Sequence, residues 1–184
     1  MNRLHASTVL GLIVGAMCLA TQEVHAQNLI RAENERPGTT DWLLTKIIKK
    51  GPVPTRYAPE NEPYEKGWQR RKQIEGYTSH TSIKAGDTLR IFLSTEPASP
   101  FTDDIYRMGY YGGKGARHMR RLGPFQGSPQ PTPDDGEKNL RECKWAEACS
   151  LTIPAEWLSG VYLGRLAVAD SEAYIVFIVR DDRK

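Results

Sequence analysis

Residues 88–95, TLRIFLST, alternate between apolar and polar side chains, and this alternation decides the fold class. In an extended strand, successive side chains point to opposite faces, so Leu89, Ile91 and Leu93 would share one face. The residues between them, beginning with Arg90, would share the other. The stretch therefore predicts a strand that lies with its leucine and isoleucine side chains against a core.

Six further segments have the same strand-like composition or alternation. They are IEGYTS (74–79), DIYRMGYY (104–111), ARHMRRL (116–122), SLTIP (150–154), GVYLGRLAVA (160–169) and AYIVFIVR (173–180). Turn residues such as Gly123-Pro124 separate them. Residues 126–139, QGSPQPTPDDGEKN, predict a long polar loop. Seven short strands without a long helical pattern predict an all-β fold, an immunoglobulin-like antiparallel β-sandwich.

The first 26 residues have the pattern of a cleaved secretory signal. Residues 8–20, TVLGLIVGAMCLA, are apolar, and Val24-His25-Ala26 follows with the small-x-small pattern that signal peptidase cuts. The apolar run is too short to span a bilayer stably. We therefore expect residues 1–26 to be removed and the mature chain to be periplasmic or extracellular, without a membrane span.

The mature chain divides into an extension and a domain. Residues 27–68 predict an N-terminal extension that contains one short amphipathic helix over 39–50, TTDWLLTKIIKK, followed by an irregular connector rich in proline and charge. Residues 69–184 predict the sandwich domain. The net charge of +3 is too mild for a nucleic-acid binder, and the basic clusters are interpreted as solvated faces.

The glycine-dense stretch 109–121, GYYGGKGARHMRR, resembles a phosphate-binding loop only superficially. A P-loop needs serine or threonine after Gly-Lys, and Gly115 stands there. The dinucleotide fingerprint would need glycine where His118 stands. Gly112, Gly113 and Gly115 are therefore predicted to be turn residues. A tight hairpin at Gly112-Gly113, with positive φ, would join two strands.

Two cysteines remain in the mature chain, Cys143 and Cys149, in CKWAEAC. An oxidising compartment favours a disulfide between two cysteines that are close in sequence. The alternative is a pair of free buried thiols. Structural zinc would need a second pair of ligands.

No catalytic, cofactor-binding or metal-binding residue can be assigned from motifs. The mature histidines, His80 and His118, do not stand near a Gly-x-Ser-x-Gly elbow. Neighbours on a strand point to opposite faces, so adjacent aspartates are poor acid–base partners. Such pairs are interpreted as turn or surface residues: Asp103-Asp104, Asp134-Asp135 and Asp181-Asp182.

Four aromatic side chains are candidates for stacking on a flat ligand such as a sugar: Tyr106, Tyr110, Tyr111 and Trp145. The alternative is that tyrosines on a sandwich strand belong to its half-buried core.

Five segments resemble, in the same order, the N-terminal part of proteins similar to the large (β) subunit of N,N-dimethylformamidase. They are RPGTTDW, IEGYTSHTSIKAGDTLRIFLST, IYRMGYYGGKGARHM, LTIPAEWLSGVYLGRL and YIVFIVRDDRK. The resemblance implies a β-sandwich placed before a larger α/β catalytic domain. In the family enzyme, that later domain holds an iron ligated by tyrosine and carboxylate side chains, which hydrolyses a small amide.

The relatives continue past VRDDRK into the catalytic domain, so no iron ligand can be transferred to this sequence. The expectation is an exported, non-catalytic sandwich module that is structural or accessory to a catalytic domain missing from this chain. Its partner would be a separately encoded catalytic domain or subunit. The alternatives are an amidohydrolase acting on small amides, and a carbohydrate- or surface-binding sandwich.

Overall fold

The structure, a computed structural model, describes residues 29–46 and 72–181. The expected signal segment and most of the expected connector lie outside these residues. The described residues form eight strands: β1 (Glu75–Thr78), β2 (Ser82–Lys84), β3 (Thr88–Ser94), β4 (Pro100–Met108), β5 (Ala116–Gln126), β6 (Glu147–Thr152), β7 (Gly160–Ala167) and β8 (Glu172–Arg180). Two 3-10 turns, Tyr111–Gly113 and Glu137–Asn139, and a helical segment over 29–34 complete them.

The strands form two sheets. One contains β1, β3 and β6 in the order β1-β3-β6, and the other has the order β2-β8-β7-β4-β5. The all-β prediction is confirmed, and two sheets are consistent with a sandwich. The pairing is antiparallel except between β2 and β8, which run parallel. The expectation of a purely antiparallel fold was therefore wrong at this pair, because it overlooked the three-residue strand β2.

The core lies between the two sheets. Leu89 and Ile91 of β3 are completely buried, and Leu93 is nearly so, which confirms the alternation in residues 88–95. Leu89 packs in one cluster with Ile105 of β4 and residues from β6, β7 and β8. Burying an aliphatic side chain of this size contributes roughly 1.5–3 kcal/mol, so this face of β3 is a main source of stability.

The predicted strands all fall on observed strands, with shifted ends. The ends shift most in β4, which begins and ends earlier than expected, and in β5, which continues through Gly123-Pro124, where a turn was expected. The pairing of β4 with β5 changes register between Phe101 and Asp103. This irregularity accommodates Gly123, which has a φ of 94°, inside a paired strand.

The helix expected over 39–50 is not formed in its described part. Residues 39–46 adopt a bridge and turns, and residues 47–50 lie outside the described residues. Thr39 pairs with Ala116 of β5, and the backbone N–H groups of Thr45 and Lys46 donate to the carboxylate of Glu172. These contacts with the sandwich replace the hydrogen bonds that a helix would make. The helical segment lies earlier, at 29–34.

Candidate functional site

Residues 29–46 are here called the strap, and the carbonyls of Asp41 and Trp42 in it meet side chains on the face of the five-stranded sheet that points away from the core. The strap contacts the loop between β4 and β5, residues 109–115, and then crosses to β7 and β8. Asp41 offers its carbonyl to Tyr106 and Arg165. Tyr174 of β8 donates to the carbonyl of Trp42. The polar residues that cluster in this region therefore connect two separate parts of the sequence.

The glycine loop, residues 109–115, receives the strap. Gly112, Gly113 and Gly115 have φ values of 64°, 83° and 87°. The loop is a seven-residue connection with a 3-10 turn rather than the expected tight hairpin. The Asn34 side-chain oxygen accepts from the Tyr110 backbone N–H at 2.7 Å. The longer loop is explained by these contacts, because it must present its backbone to the strap.

A buried ionic network joins the strap to β4 and β5. Arg117 donates to the Glu33 carboxylate through Nε and Nη2, at 2.7 and 2.6 Å. The Tyr111 hydroxyl donates to the same oxygen at 2.9 Å and accepts from Arg107 at 2.9 Å. Burial raises the pKa of Tyr111, which keeps the phenol able to donate.

Tyr111 holds this position with a φ of 41°, in the left-handed region that favours glycine. A non-glycine residue there is strained, and such strain persists where surrounding contacts hold it. The hydroxyl contacts with Glu33 and Arg107 are the contacts that hold it.

Asp104 is the centre of a second cluster, on the face of β4 away from the core. Arg121 binds its two oxygens at 2.9 and 2.7 Å, and His118 contacts one of them at 2.9 Å. Arg165 lies 3.5 Å away. Burial alone would raise the pKa of Asp104, but the hydrogen bonds from Arg121 and His118 hold it below its ordinary value.

The sequence interpretation of Asp104 as a turn or surface residue was therefore wrong. Arg121 of β5 and Arg165 of β7 stand directly opposite it across the sheet. The signal that could have found this cluster is the cross-strand pairing of an acid with two arginines. That signal exists only once the register of three strands is known.

Asp103, its neighbour, points the opposite way into the core. The side chain is completely buried, and neither carboxylate oxygen has a hydrogen-bond partner among the described residues. Burial, followed by the charge of Asp104, raises the pKa of Asp103 to about 7. The surface interpretation was wrong here too, because the inner face of β4 was not recognisable from an Asp-Asp pair.

The four stacking candidates do not form a platform. Tyr106 and Tyr111 are buried beneath the strap, and Trp145 is buried beside Tyr77 at a ring distance of 5.4 Å. Tyr110 alone of the four is exposed, at 73%, and borders an open groove of ≈780 Å³. The structure thus places one of the four side chains where a ligand could stack on it.

The expected disulfide is not formed in the structure, where Cys143 and Cys149 are free thiols. Cys149 lies on β6, half-buried against the apolar cluster that contains Ile91. Cys143 lies in the preceding loop and is exposed, and its carbonyl accepts from Tyr77. The strand and the loop thus hold the two thiols in different environments.

Glu33 and Tyr111 bring together the two ligand types that the resemblance implies for iron, a carboxylate and a phenol. Arg117 and Arg107 already donate to these same groups, so cations stand where a metal would bind. These residues do not fit an iron site. Within residues 29–46 and 72–181, no group of three or more histidine, cysteine, aspartate or glutamate side chains could hold a metal ion. No helix in the same residues is long and apolar enough to cross a membrane.

A family model described as "N,N-dimethylformamidase beta subunit-like, C-terminal" matches residues 102–184. No curated protein matches the chain. The matched model is C-terminal, so the placement of the sequence in the N-terminal part of the β subunit is not confirmed. The region from β4 to β8, with both aspartates and the glycine loop, is thus similar to the C-terminal part of N,N-dimethylformamidase beta subunit-like proteins.

Proposed function

We propose that this chain is an exported, non-catalytic module of an N,N-dimethylformamidase-like protein, with an immunoglobulin-like sandwich. Its role is structural or accessory to a catalytic domain or subunit, which would carry the iron. The family match supports this proposal because it covers four of the five strands that form the larger sheet. The buried carboxylates also support it, because Asp104 of that sheet and Glu33 of the strap are bonded to arginines of the module itself.

The observation that carries the proposal is an exposed apolar row on β7 and β8. Val161 is 44% exposed, Val176 53% and Ile178 44%. Val161 stands directly opposite Ile178, and Val176 follows on the same face of β8. Contiguous exposed apolar side chains on a sheet face mark interaction surfaces.

A subunit of dimethylformamidase acts together with another subunit, and this second subunit is the occupant that we assign to the row. The row lies on the same face of the larger sheet as the Asp41 end of the strap, because Arg165, which donates to Asp41, and Val161 both alternate along β7 with the buried Leu166 and Tyr162. The strap therefore covers one part of this face and leaves the apolar row open for the partner.

The test is co-expression of the chain with a dimethylformamidase catalytic subunit, followed by size-exclusion chromatography with light scattering. We expect a complex, and we expect the double variant Val176→Lys, Ile178→Glu to bind roughly tenfold more weakly or worse, because two charges would be desolvated. Leu140→Lys is the matched control, since Leu140 is 60% exposed but lies in a loop. Equal binding of the catalytic subunit by the wild type, the double variant and Leu140→Lys would contradict the assignment of the apolar row as the docking surface.

The family name also favours a second function, hydrolysis of a small amide by this chain itself. This alternative is tested by incubating the purified chain with N,N-dimethylformamide and added iron, and measuring dimethylamine and formate. The accessory role predicts no turnover by the chain alone. Turnover together with stoichiometric iron would establish the enzyme and overturn the accessory role.

A further inference from the structure

The side chain of Asp103 fills a space in the core that a glycine on the neighbouring strand leaves open. On β7, Gly164 lies beside it, and a Cβ atom at Gly164 would come within 2.7 Å of the Asp103 Oδ1 atom. The same Cβ would also approach Ile175 of β8 at 2.6 Å. The absence of a side chain at Gly164 therefore provides the space that the carboxyl group fills.

Among the residues that the structure describes, no cation is a cause of the shifted pKa of this carboxyl. Directly opposite Asp103 stand Leu166 of β7 and Leu122 of β5. The titratable groups that act on it are Asp104 on its own strand and Cys149 of β6, whose thiol pKa is raised to about 12 by burial and then by Asp103 and Glu147. All of these groups are acids, so an ionised Asp103 would be a buried charge without compensation.

We propose that Asp103 is a pH-sensitive element of the sandwich, neutral when the two sheets are closed and loosening their packing at β4 when it ionises. The position of the group supports this role. It lies between the clusters that hold the sheets together, following Phe101 of one cluster and preceding Ile105 of the other on the same face of β4. A charge at this point can be solvated only if the sheets separate locally.

The direction of the effect follows from linkage. The pKa of Asp103 is about 7 in the folded protein, against about 4 for an ordinary aspartate. Below both values the group is neutral in both states, and stability is at its highest with respect to Asp103. As pH rises from about 4 to about 7, the unfolded state loses the proton first, so stability falls. Above about 7 the loss is complete and constant.

The first experiment compares the wild-type protein with Asp103→Asn in urea unfolding from pH 4.5 to 9. We expect the stability of the wild type relative to the variant to fall as pH rises to about 7 and then to stay level. Asp87→Asn, at an exposed position, is the control and should run parallel to the wild type. If Asp103→Asn does not fold, Asp103→Leu provides the same comparison. Parallel profiles for the wild type and the Asp103 variant would overturn the proposal.

A second experiment uses the two native thiols of the wild-type protein. Cys143 is exposed and Cys149 is half-buried beside Asp103, so the ratio of their labelling rates, measured by mass spectrometry, reports local opening. The same ratio measured on urea-unfolded protein at each pH corrects for the general rise in thiolate with pH. We expect labelling of Cys149 relative to Cys143 to rise several-fold between pH 5 and pH 8. An ionised Asp103 without opening would lower the ratio, so a flat or falling ratio would overturn the proposal.

Discussion

Asp103 and Asp104 show that neighbouring residues of one strand can lie in opposite environments. The alternation of β4 sends Asp103 into the core and Asp104 to the opposite face, where Arg121 and Arg165 meet it. The pKa of Asp104 is lowered, so its contribution to stability is present above pH 4 and is lost as pH falls through its folded value. The contribution of Asp103 has the opposite sign. Together the two residues favour a stability maximum in the mildly acidic range.

Glu33 is the buried strap residue whose carboxylate bonds to both Arg117 and Tyr111. We expect Glu33→Gln to destabilise the protein by about 3 kcal/mol, because it would leave Arg117 without its carboxylate and Tyr111 without its charged acceptor. Urea unfolding measures the loss, and limited proteolysis within the strap should become faster.

The matched control is Glu35→Gln, two residues away. Glu35 pairs with Arg31 on the surface, and such an exposed pair contributes at most about 1 kcal/mol. Equal effects of the two substitutions would show that the buried network does not hold the strap.

At the scale of elements, the sequence predicted the strands well and the strap poorly. The alternation of Leu89, Ile91 and Leu93 is a local signal that survives in the fold. The strap has no comparable signal. Its apolar spacing favoured a helix, and Thr39 and Thr45 instead bond to residues more than seventy positions away. The glycine loop was interpreted as a turn without knowledge of what packs on it.

The strap approaches the glycine loop so closely at Gly38 that we expect any side chain there to destabilise the protein. A Cβ atom there would meet the Tyr111 Cβ at 2.5 Å and the Lys114 Cβ at 2.8 Å. We expect Gly38→Ala to cost about 1–3 kcal/mol and to release the strap from the loop. Fluorescence of Trp42, whose indole N–H donates to the carbonyl of Lys114 at 2.9 Å, follows the release once the signals of Trp68, Trp145 and Trp157 are accounted for by difference from the wild type.

Gly113→Ala separates crowding from backbone strain. Gly113 has a φ of 83° and open space around its Cβ position. Alanine there should cost about 1 kcal/mol from the left-handed backbone alone and leave the strap docked. If Gly113→Ala changed the Trp42 signal as much as Gly38→Ala, strain in the loop rather than contact with the strap would govern docking.

At the scale of the whole molecule, the sequence predicted a mostly β fold because each strand carries its own pattern. The two polar clusters could not be predicted in the same way. Glu33 and Arg117, or Asp104 and Arg165, are distant in sequence, and only sheet register and strap docking bring them together. The family match covers 102–184 and therefore leaves the strap outside the matched region.

The pattern of the first residues leads us to expect that the whole chain is exported. Cleavage of the signal would also decide how many residues precede the strap. Removal of residues 1–26 would leave Gln27 as the N-terminus, because Val24 and Ala26 suit signal peptidase. Glu33 would then lie six residues from the new terminus and could still bind Arg117. Intact-mass measurement of protein from the periplasm or medium should give the mass of residues 27–184. Ala26→Arg should block cleavage, because a large cation does not fit the small pocket of the peptidase, and precursor should accumulate. A full-length chain beginning at Met1 in the exported fraction would contradict this prediction.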